Sequence, residues 1–220
     1  MDNLFKNLAL FCGKKDCDER YKFIWCMEDG IYATNGYVIL KYNHPVKEAQ
    51  AFNVNHKDFD KFEPFDVVKG EKFKGKLKGM IYKNMNVLVK EDDNGIHEIK
   101  TYRYIDFNLA MNTLYDRLKN NSHTDNINVN DIYKVLKDCS KEYVFVKIFD
   151  MYFVREYILN VFKYFKNIDK TSIKMSIQKD VEKSPVLFVD EDKTEIVLMQ
   201  AFAYSKPPFG DEKWYEEINL

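Results

Sequence analysis

The chain has 220 residues, room for one large domain or two small ones. Apolar residues make up 45% and aromatic residues 15%, which is enough for a packed core and excludes disorder as the main state. The net charge of −1 excludes a global field that would draw the chain to nucleic acid or an anionic membrane, so any cationic surface has to be local. Arginine is confined to Arg20, Arg103, Arg117 and Arg155. That leaves little material for bidentate guanine readout or an arginine phosphate clamp, and sequence-specific DNA recognition drops in rank. No apolar run approaches the roughly 20 residues of a transmembrane helix. The opening residues carry Asp2 and no basic segment ahead of their apolar run, unlike a signal peptide. A soluble cytoplasmic protein with no membrane partner is expected. The cysteines, Cys12, Cys17, Cys26 and Cys139, show neither CxxC nor zinc spacing and read as small buried hydrophobes in a reducing compartment.

In chain order, Leu4, Phe5, Leu8, Phe11 and Cys12 have helical spacing, with a stop at Gly13. Three short β-prone segments follow, RYKFIWCMED, GIYATN and GYVILKYN. They are separated by the hairpin signals Asp29-Gly30 and Asn35-Gly36 and predict a three-strand meander. VNHKDFDKFEPF predicts a short helix over 55–63, stopped before Pro64. A second meander is expected from KFKGKLKG, MIYKNMNVLVKED and IHEIKTYRYI, with Asn94-Gly95 at its last turn. LAMNTLYDRL reads as a turn of helix in a linker and KNNSHTDN as a loop. The pattern then restarts. Ile132, Val135, Leu136 and Cys139 predict a helix, EYVFVKIF a strand, and Tyr157, Ile158, Val161, Phe162 and Phe165 a second helix. TSIKMSI is the next strand, and SPVLFVDEDKTEIVLMQAF is a hairpin around an acidic turn. The second half reads as a shortened copy of the first, an internal repeat of two α+β units with helices covering antiparallel meanders. Expected boundaries are 1–105, a linker 106–126, a second unit 127–205 and a tail 206–220.

No catalytic constellation stands out. His44, His56, His97 and His123 are scattered, and HExxH, P-loop, dinucleotide-loop and GxSxG patterns are absent. Asp190, Glu191 and Asp192 read as a turn between strands rather than a cation site. Neither enzymatic activity nor a cofactor or metal is implied. The basic residues carry more signal. Lys134, Lys137 and Lys141 are spaced i, i+3, i+7, Lys163 and Lys166 share a helix face, and Lys57 and Lys61 are i, i+4. Each stripe alone is an ordinary solvated face. Repeated across helices, such lysines can meet phosphates without reading bases. Lys72, Lys74, Lys76 and Lys78 alternate with small or apolar residues, as a lysine-protected edge strand or a phosphate-tracking strip would.

Several stretches meet a known pattern together. ERYKFIWCMEDGIYATNGYVIL (19–40), YRYIDFNLAMNTLY (102–115), FVREYILNVFKYFKN (153–167) and the closing hairpin follow one another as in the bacterial DNA polymerase III β subunit. The chain resembles the second and third domains of that sliding-clamp family over most of residues 4–204. The resemblance implies a non-enzymatic ring protein of DNA replication or repair, with lysine-bearing helices facing double-stranded DNA without sequence specificity. DNA polymerase or another replication protein would dock by a short peptide. Carried over by position, the peptide groove takes Phe23, Thr34, Gly36, Tyr37, Val38 and Ile39 from the first unit. Phe107, Asn108, Asn112 and Thr113 come from the linker, and Pro185, Val197, Met199 and Ala201 from the closing strands. The DNA-facing set is Lys6, Lys57, Lys61, Lys134, Lys137, Lys141, Lys163 and Lys166.

The departures are specific. Tyr37-Val38 stand where the family has His-Arg, and Gln200-Ala201 where it has Pro-Met. Two domains per chain imply three chains for a six-domain ring, hence a homo-trimer if a ring forms. Between Lys141 and Val154 there is room for one or two strands where a clamp domain has three. The tail SKPPFGDEKWYEEINL has no counterpart and reads as an extra strand, a partner-binding peptide or a disordered end. The lysine-, asparagine- and isoleucine-heavy composition suggests an AT-rich genome such as that of a phage or mobile element. The alternative reading is a clamp-fold interaction protein that does not encircle DNA and binds or blocks a replication factor.

Overall fold

The computed structural model describes residues 4–14, 17, 19–27, 29–45, 50–55, 80–84, 87–92, 95–101, 111–113, 115, 116, 118, 122–178, 185–191, 193–201 and 215–218. The chain divides into two compact units, 1–109 and 110–220.

In the first unit, helix α1 (Leu4–Leu8) tightens into a 3₁₀ turn (Ala9–Phe11). Phe5, Leu8 and Phe11 recur every three residues and are fully buried, the stripe that lets so short a helix persist through packing rather than propensity. The helix ends where the Gly13 N–H donates to Tyr21 O at 2.6 Å. The expected meander follows as β1 (Phe23–Met27), β2 (Gly30–Thr34) and β3 (Val38–Tyr42). Every residue of β1 and β2 is buried, which explains their near-continuous apolar sequence in place of an alternation.

Two features of this unit depart from expectation. A strand not anticipated from sequence, β4 (Gln50–Asn53), pairs antiparallel with β1. MIYKNMNVLVKED is two strands instead of one. β5 (Met80–Asn84) and β6 (Val87–Asp92) pair antiparallel, so the chain reverses within the Asn-rich stretch where one long strand was expected. Asparagine tolerates turn conformations, and five or six residues already make an ordinary strand. β7 (Gly95–Thr101) returns along β6 with Asp92 opposite Gly95, as the Asn94-Gly95 signal suggested. The strand order in this unit is β7-β6-β5-β4-β1-β2-β3. The expected helix over 55–63 and the KFKGKLKG strand lie outside the described residues, apart from Asn55.

The second unit opens with helical residues at 111–113, 115, 116 and 118. The KNNSHTDN stretch is not the loop expected. From Ser122 it forms β8 (Ser122–Asn128), paired antiparallel with β11 (Ser172–Gln178) over seven residues. Only Ile127 of β8 is buried, so no side-chain alternation marks it. Backbone pairing at a sheet edge and a 2.9 Å Thr124–Ser176 hydroxyl contact hold a strand that hydropathy cannot reveal.

Helix α2 (Val129–Asp138), hairpin β9 (Phe145–Ile148) with β10 (Met151–Val154), helix α3 (Arg155–Asn167), β11 and hairpin β12 (Val186–Asp190) with β13 (Thr194–Leu198) follow. With β14 (Tyr215–Glu217), the strand order is β13-β12-β11-β8 in one sheet and β10-β9-β14 in another, smaller one. Helix α3 covers the larger sheet. Phe162 meets Phe188 edge-to-face at 5.8 Å, and the buried Tyr164 hydroxyl lies 2.9 Å from Thr194 Oγ1. β14 (Tyr215–Glu217) comes from the tail, so the extra-strand alternative is the one realised, at least for these residues.

A candidate nucleic-acid interface on the second unit

Helix α2 begins at Asn128, whose Oδ1 accepts from the N–H groups of Asn130 (3.0 Å) and Asp131 (3.3 Å). This is the cap that asparagine is chosen for. Val129, Ile132 and Leu136 form its buried stripe. Two exposed flanks remain, each with i, i+4, i+7 spacing. Asn130, Lys134 and Lys137 lie on one, and Asp131, Val135 and Asp138 on the other. Lys134 stands i+3 from Asp131 and i−4 from Asp138, so the two flanks meet along the exposed face.

Helix α3 buries Ile158, Val161, Phe162, Tyr164 and Phe165 and leaves Glu156, Lys163 and Lys166 exposed. The two helices pack side by side. Lys166 Nζ sits 4.4 Å from the centroid of the Tyr133 ring, a cation–π contact that puts the basic end of α3 against the flank of α2 bearing Tyr133 and Lys137. Arg155 fixes the other end. Its Nη2 donates to the free carbonyls of Leu136 (3.3 Å) and Cys139 (3.2 Å) that terminate α2. Sequence reasoning missed both Tyr133 and Arg155. The signal for the second was present: a solitary arginine at the start of a helix, in a chain whose other cations are nearly all lysine.

Of the DNA-facing set, the structure brings Lys134, Lys137, Lys163 and Lys166 together on this helix pair, all exposed. Lys141 is exposed in the turn after α2. Lys6 is exposed on α1 of the first unit, and Lys57 and Lys61 lie outside the described residues.

The groove residues are described unit by unit. In the first, Thr34, Asn35, Gly36, Tyr37 and Val38 build the β2–β3 turn. Thr34 Oγ1 donates to Val38 O (2.7 Å) and accepts from Gly36 N–H (3.0 Å), while Asn35 Oδ1 accepts from Tyr37 N–H (2.9 Å) and Val38 N–H (3.1 Å). Gly36 has φ +92, the left-handed region that favours glycine, and a β-carbon there would crowd the Tyr21 ring at 3.1 Å. Phe23, Thr34 and Val38 are buried and support the turn from within, whereas Tyr37 projects at 60% exposure, with Ile39 half-buried. In the second unit Pro185 and Val197 are buried, Ala201 is half-buried, and Asn112, Thr113 and Met199 are exposed. Phe107 and Asn108 lie outside the described residues.

Nothing in the described chemistry favours a nucleophile. Burial pushes the Cys12, Cys26 and Cys139 thiols up from their ordinary range, which keeps them protonated. Asp190 is buried and pairs with Lys170 at 3.2 Å, which occupies one carboxylate of the acidic turn. Among the described residues no cluster of three or more His, Cys, Asp or Glu side chains is arranged for a metal ion, and no helix is long and apolar enough to cross a membrane.

Two α+β units of antiparallel meanders covered by short helices define a protein of the DNA-clamp fold class. Solved structures place it more closely: the chain has the fold of the bacterial DNA polymerase III β subunit. The Helicobacter pylori β clamp in complex with 3,4-difluorobenzamide superposes with a TM-score of 0.56 at 9% identity, covering 90% of this chain and 62% of that one. The β subunit from Borrelia burgdorferi in complex with a natural product gives 0.55 at 12% identity, covering 90% and 60%. The Helicobacter pylori β clamp bound to a DNA ligase peptide gives 0.51 at 10% identity, covering 90% and 62%. The chain thus spans less than two thirds of the length of the clamps it matches, and at these identities the likeness is one of fold. No family model and no curated protein sequence matches it.

Proposed function

We propose that this protein is a non-enzymatic, sliding-clamp-like factor of DNA replication or repair that holds duplex DNA without sequence specificity. Its tandem units correspond to the second and third domains of a clamp, and three copies would supply the six domains of a ring. The observation that carries this reading is the lysine surface of α2 and α3 on a clamp fold. Four exposed ammonium groups share one helix pair. Lysines on rigid helices contact phosphates as point charges and read no bases.

Four such contacts give a salt slope of about −3.6, or roughly a hundredfold loss of affinity between 50 and 200 mM salt. The test is fluorescence anisotropy on duplexes of unrelated sequence, with wild type and the variant Lys134→Glu/Lys137→Glu/Lys163→Glu/Lys166→Glu. Wild type should bind all duplexes alike and lose affinity with salt at that slope, and the variant should not bind measurably. Sequence-dependent binding, or a variant that binds as well as wild type, refutes the proposal. Retention on circular but not linear DNA tests encirclement.

A second reading is supported by the exposed Tyr37 and Met199, the latter at 43% exposure. Each unit thus leaves in water a large apolar side chain of the kind that anchors a docked peptide, and a clamp of this fold has been solved with a DNA ligase peptide. On this reading the protein engages a replication factor and need not encircle DNA. Binding of that factor would be lost with Tyr37→Ala or Met199→Ala and unaffected by the lysine substitutions.

A further inference from the structure

The small sheet of the second unit is completed by a strand from the end of the chain. β14 pairs parallel with β9, placing Tyr215 opposite Phe145, Glu216 opposite Val146 and Glu217 opposite Lys147. Each of its residues has a separate anchor. The Tyr215 ring meets Tyr152 edge-to-face at 5.0 Å. Glu216 Oε2 accepts from the Ser140 N–H at 2.8 Å. Glu217 Oε1 accepts from Lys147 Nζ at 2.9 Å. Ile218 donates its N–H to Lys147 O at 2.9 Å and buries its side chain. An aromatic, two carboxylates and an aliphatic residue are thus read in order by a platform built from the end of α2 and the β9–β10 hairpin. This is strand addition to a sheet edge, in which main-chain bonds supply affinity and alternate side chains supply selectivity.

Ala201 donates its N–H to Tyr152 O of β10 at 2.8 Å, and the segment is joined to that point through residues 202–214. At about 3.3 Å per residue, an extended connection of that length reaches on the order of 40 Å. The same contacts are available to an identical strand from another molecule, so exchange would cost no interaction and only the cis advantage of effective concentration opposes it. We propose that the β9 edge is a strand-accepting site, and that residues 215–218 of a second copy of this chain are the ligand it takes when its own are displaced.

The test uses full-length chains. An acceptor, Tyr215→Ser/Ile218→Ser, keeps the platform and loses its own strand. It is titrated with a fluorescent synthetic peptide of residues 212–220. Saturable binding to the acceptor, at least tenfold weaker to wild type, is expected. Lys147→Glu added to the acceptor should abolish binding, and a Glu217→Lys peptide should restore it. No binding to the acceptor, or no effect of the charge swap, overturns the proposal. If the acceptor does not fold by circular dichroism, Glu216→Ala/Glu217→Ala takes its place, because it leaves Ile218 to pack. For the second copy, an affinity-tagged acceptor is mixed with an untagged Lys147→Glu chain that carries an intact tail. Retention above that of like-with-like mixtures is expected, and retention equal to theirs overturns the assignment. None of these measurements involves DNA, so their failure is separate from failure of the clamp reading.

Discussion

The two units share a meander-and-helix grammar but spend their sequence differently. In the first, the described helix is five residues long, and seven strands make up the rest of its described regular structure. In the second, helices of ten and thirteen residues lie together, and the strands divide between two sheets. Among the described residues, exposed lysines gather where helices are long enough to offer a polar flank beside a buried one. A helix of five residues has room for one exposed lysine, Lys6, whereas α2 and α3 display four. The exposed apolar feature of the first unit, Tyr37, sits instead on a turn between strands.

Four perturbations bear on this contrast. The largest is in the core beneath the helices. Phe162→Ala removes a fully buried ring against Phe188 and should cost about 3–5 kcal/mol in denaturant unfolding. A loss below about 1 kcal/mol would mean that α3 does not anchor the second unit. Next is the asymmetry of the basic surface. Lys6→Glu alone should leave the salt slope of DNA binding within about one unit of wild type, while the four-lysine variant should lose measurable binding. Equal effects would erase the distinction between the units.

The third concerns the β9–β10 turn, where Phe149 and Asp150 hold φ of 55 and 58, the left-handed region that phenylalanine rarely enters. Phe149→Asn/Asp150→Gly supplies the residues that such a hairpin prefers and should raise stability by about 1 kcal/mol or more. A destabilised variant would show that the Phe149 side chain contributes more by packing than it loses in backbone strain.

The smallest effect is on the tail. Lys147 is raised from its ordinary value of 10.5, chiefly by its hydrogen bond to Glu217. Tyr152 is raised by burial and then by Tyr215. Both groups are more protonated with the tail docked than free. The contribution is therefore fully present below the ordinary values and is lost as pH rises through the shifted ones. Hydrogen exchange of residues 215–218 should report tail release only above about pH 10.5, and Lys147→Met should flatten that response.

Much of the fold was legible because its physical cause is local. Helical spacing of Ile132, Leu136, Ile158, Val161, Phe162 and Phe165 marked α2 and α3, and Asp29-Gly30, Asn35-Gly36 and Asn94-Gly95 marked turns. The misses have equally definite causes. β8 exposes nearly all its side chains, so hydropathy carries no trace of a strand that exists through backbone pairing. Between Lys141 and Val154 the chain forms two strands, within the one or two expected, but the position of their turn at Phe149-Asp150 was not marked. The reversal inside MIYKNMNVLVKED is a matter of pairing partners.

Of the candidate site, the lysines on α2 and α3 could be named in advance because i, i+3, i+4 and i+7 spacing is a property of one helix. That the two stripes belong to one surface could not, because Lys166 over Tyr133 and Arg155 at the end of α2 are contacts between helices. The sequence by itself determined the class of fold, the sorting of apolar from charged faces and the lysines on offer, since these follow from short-range periodicity. The tertiary structure alone decided which faces adjoin and that the end of the chain completes the β9 edge. Those outcomes depend on distant backbone groups finding hydrogen-bond partners, which no local pattern encodes.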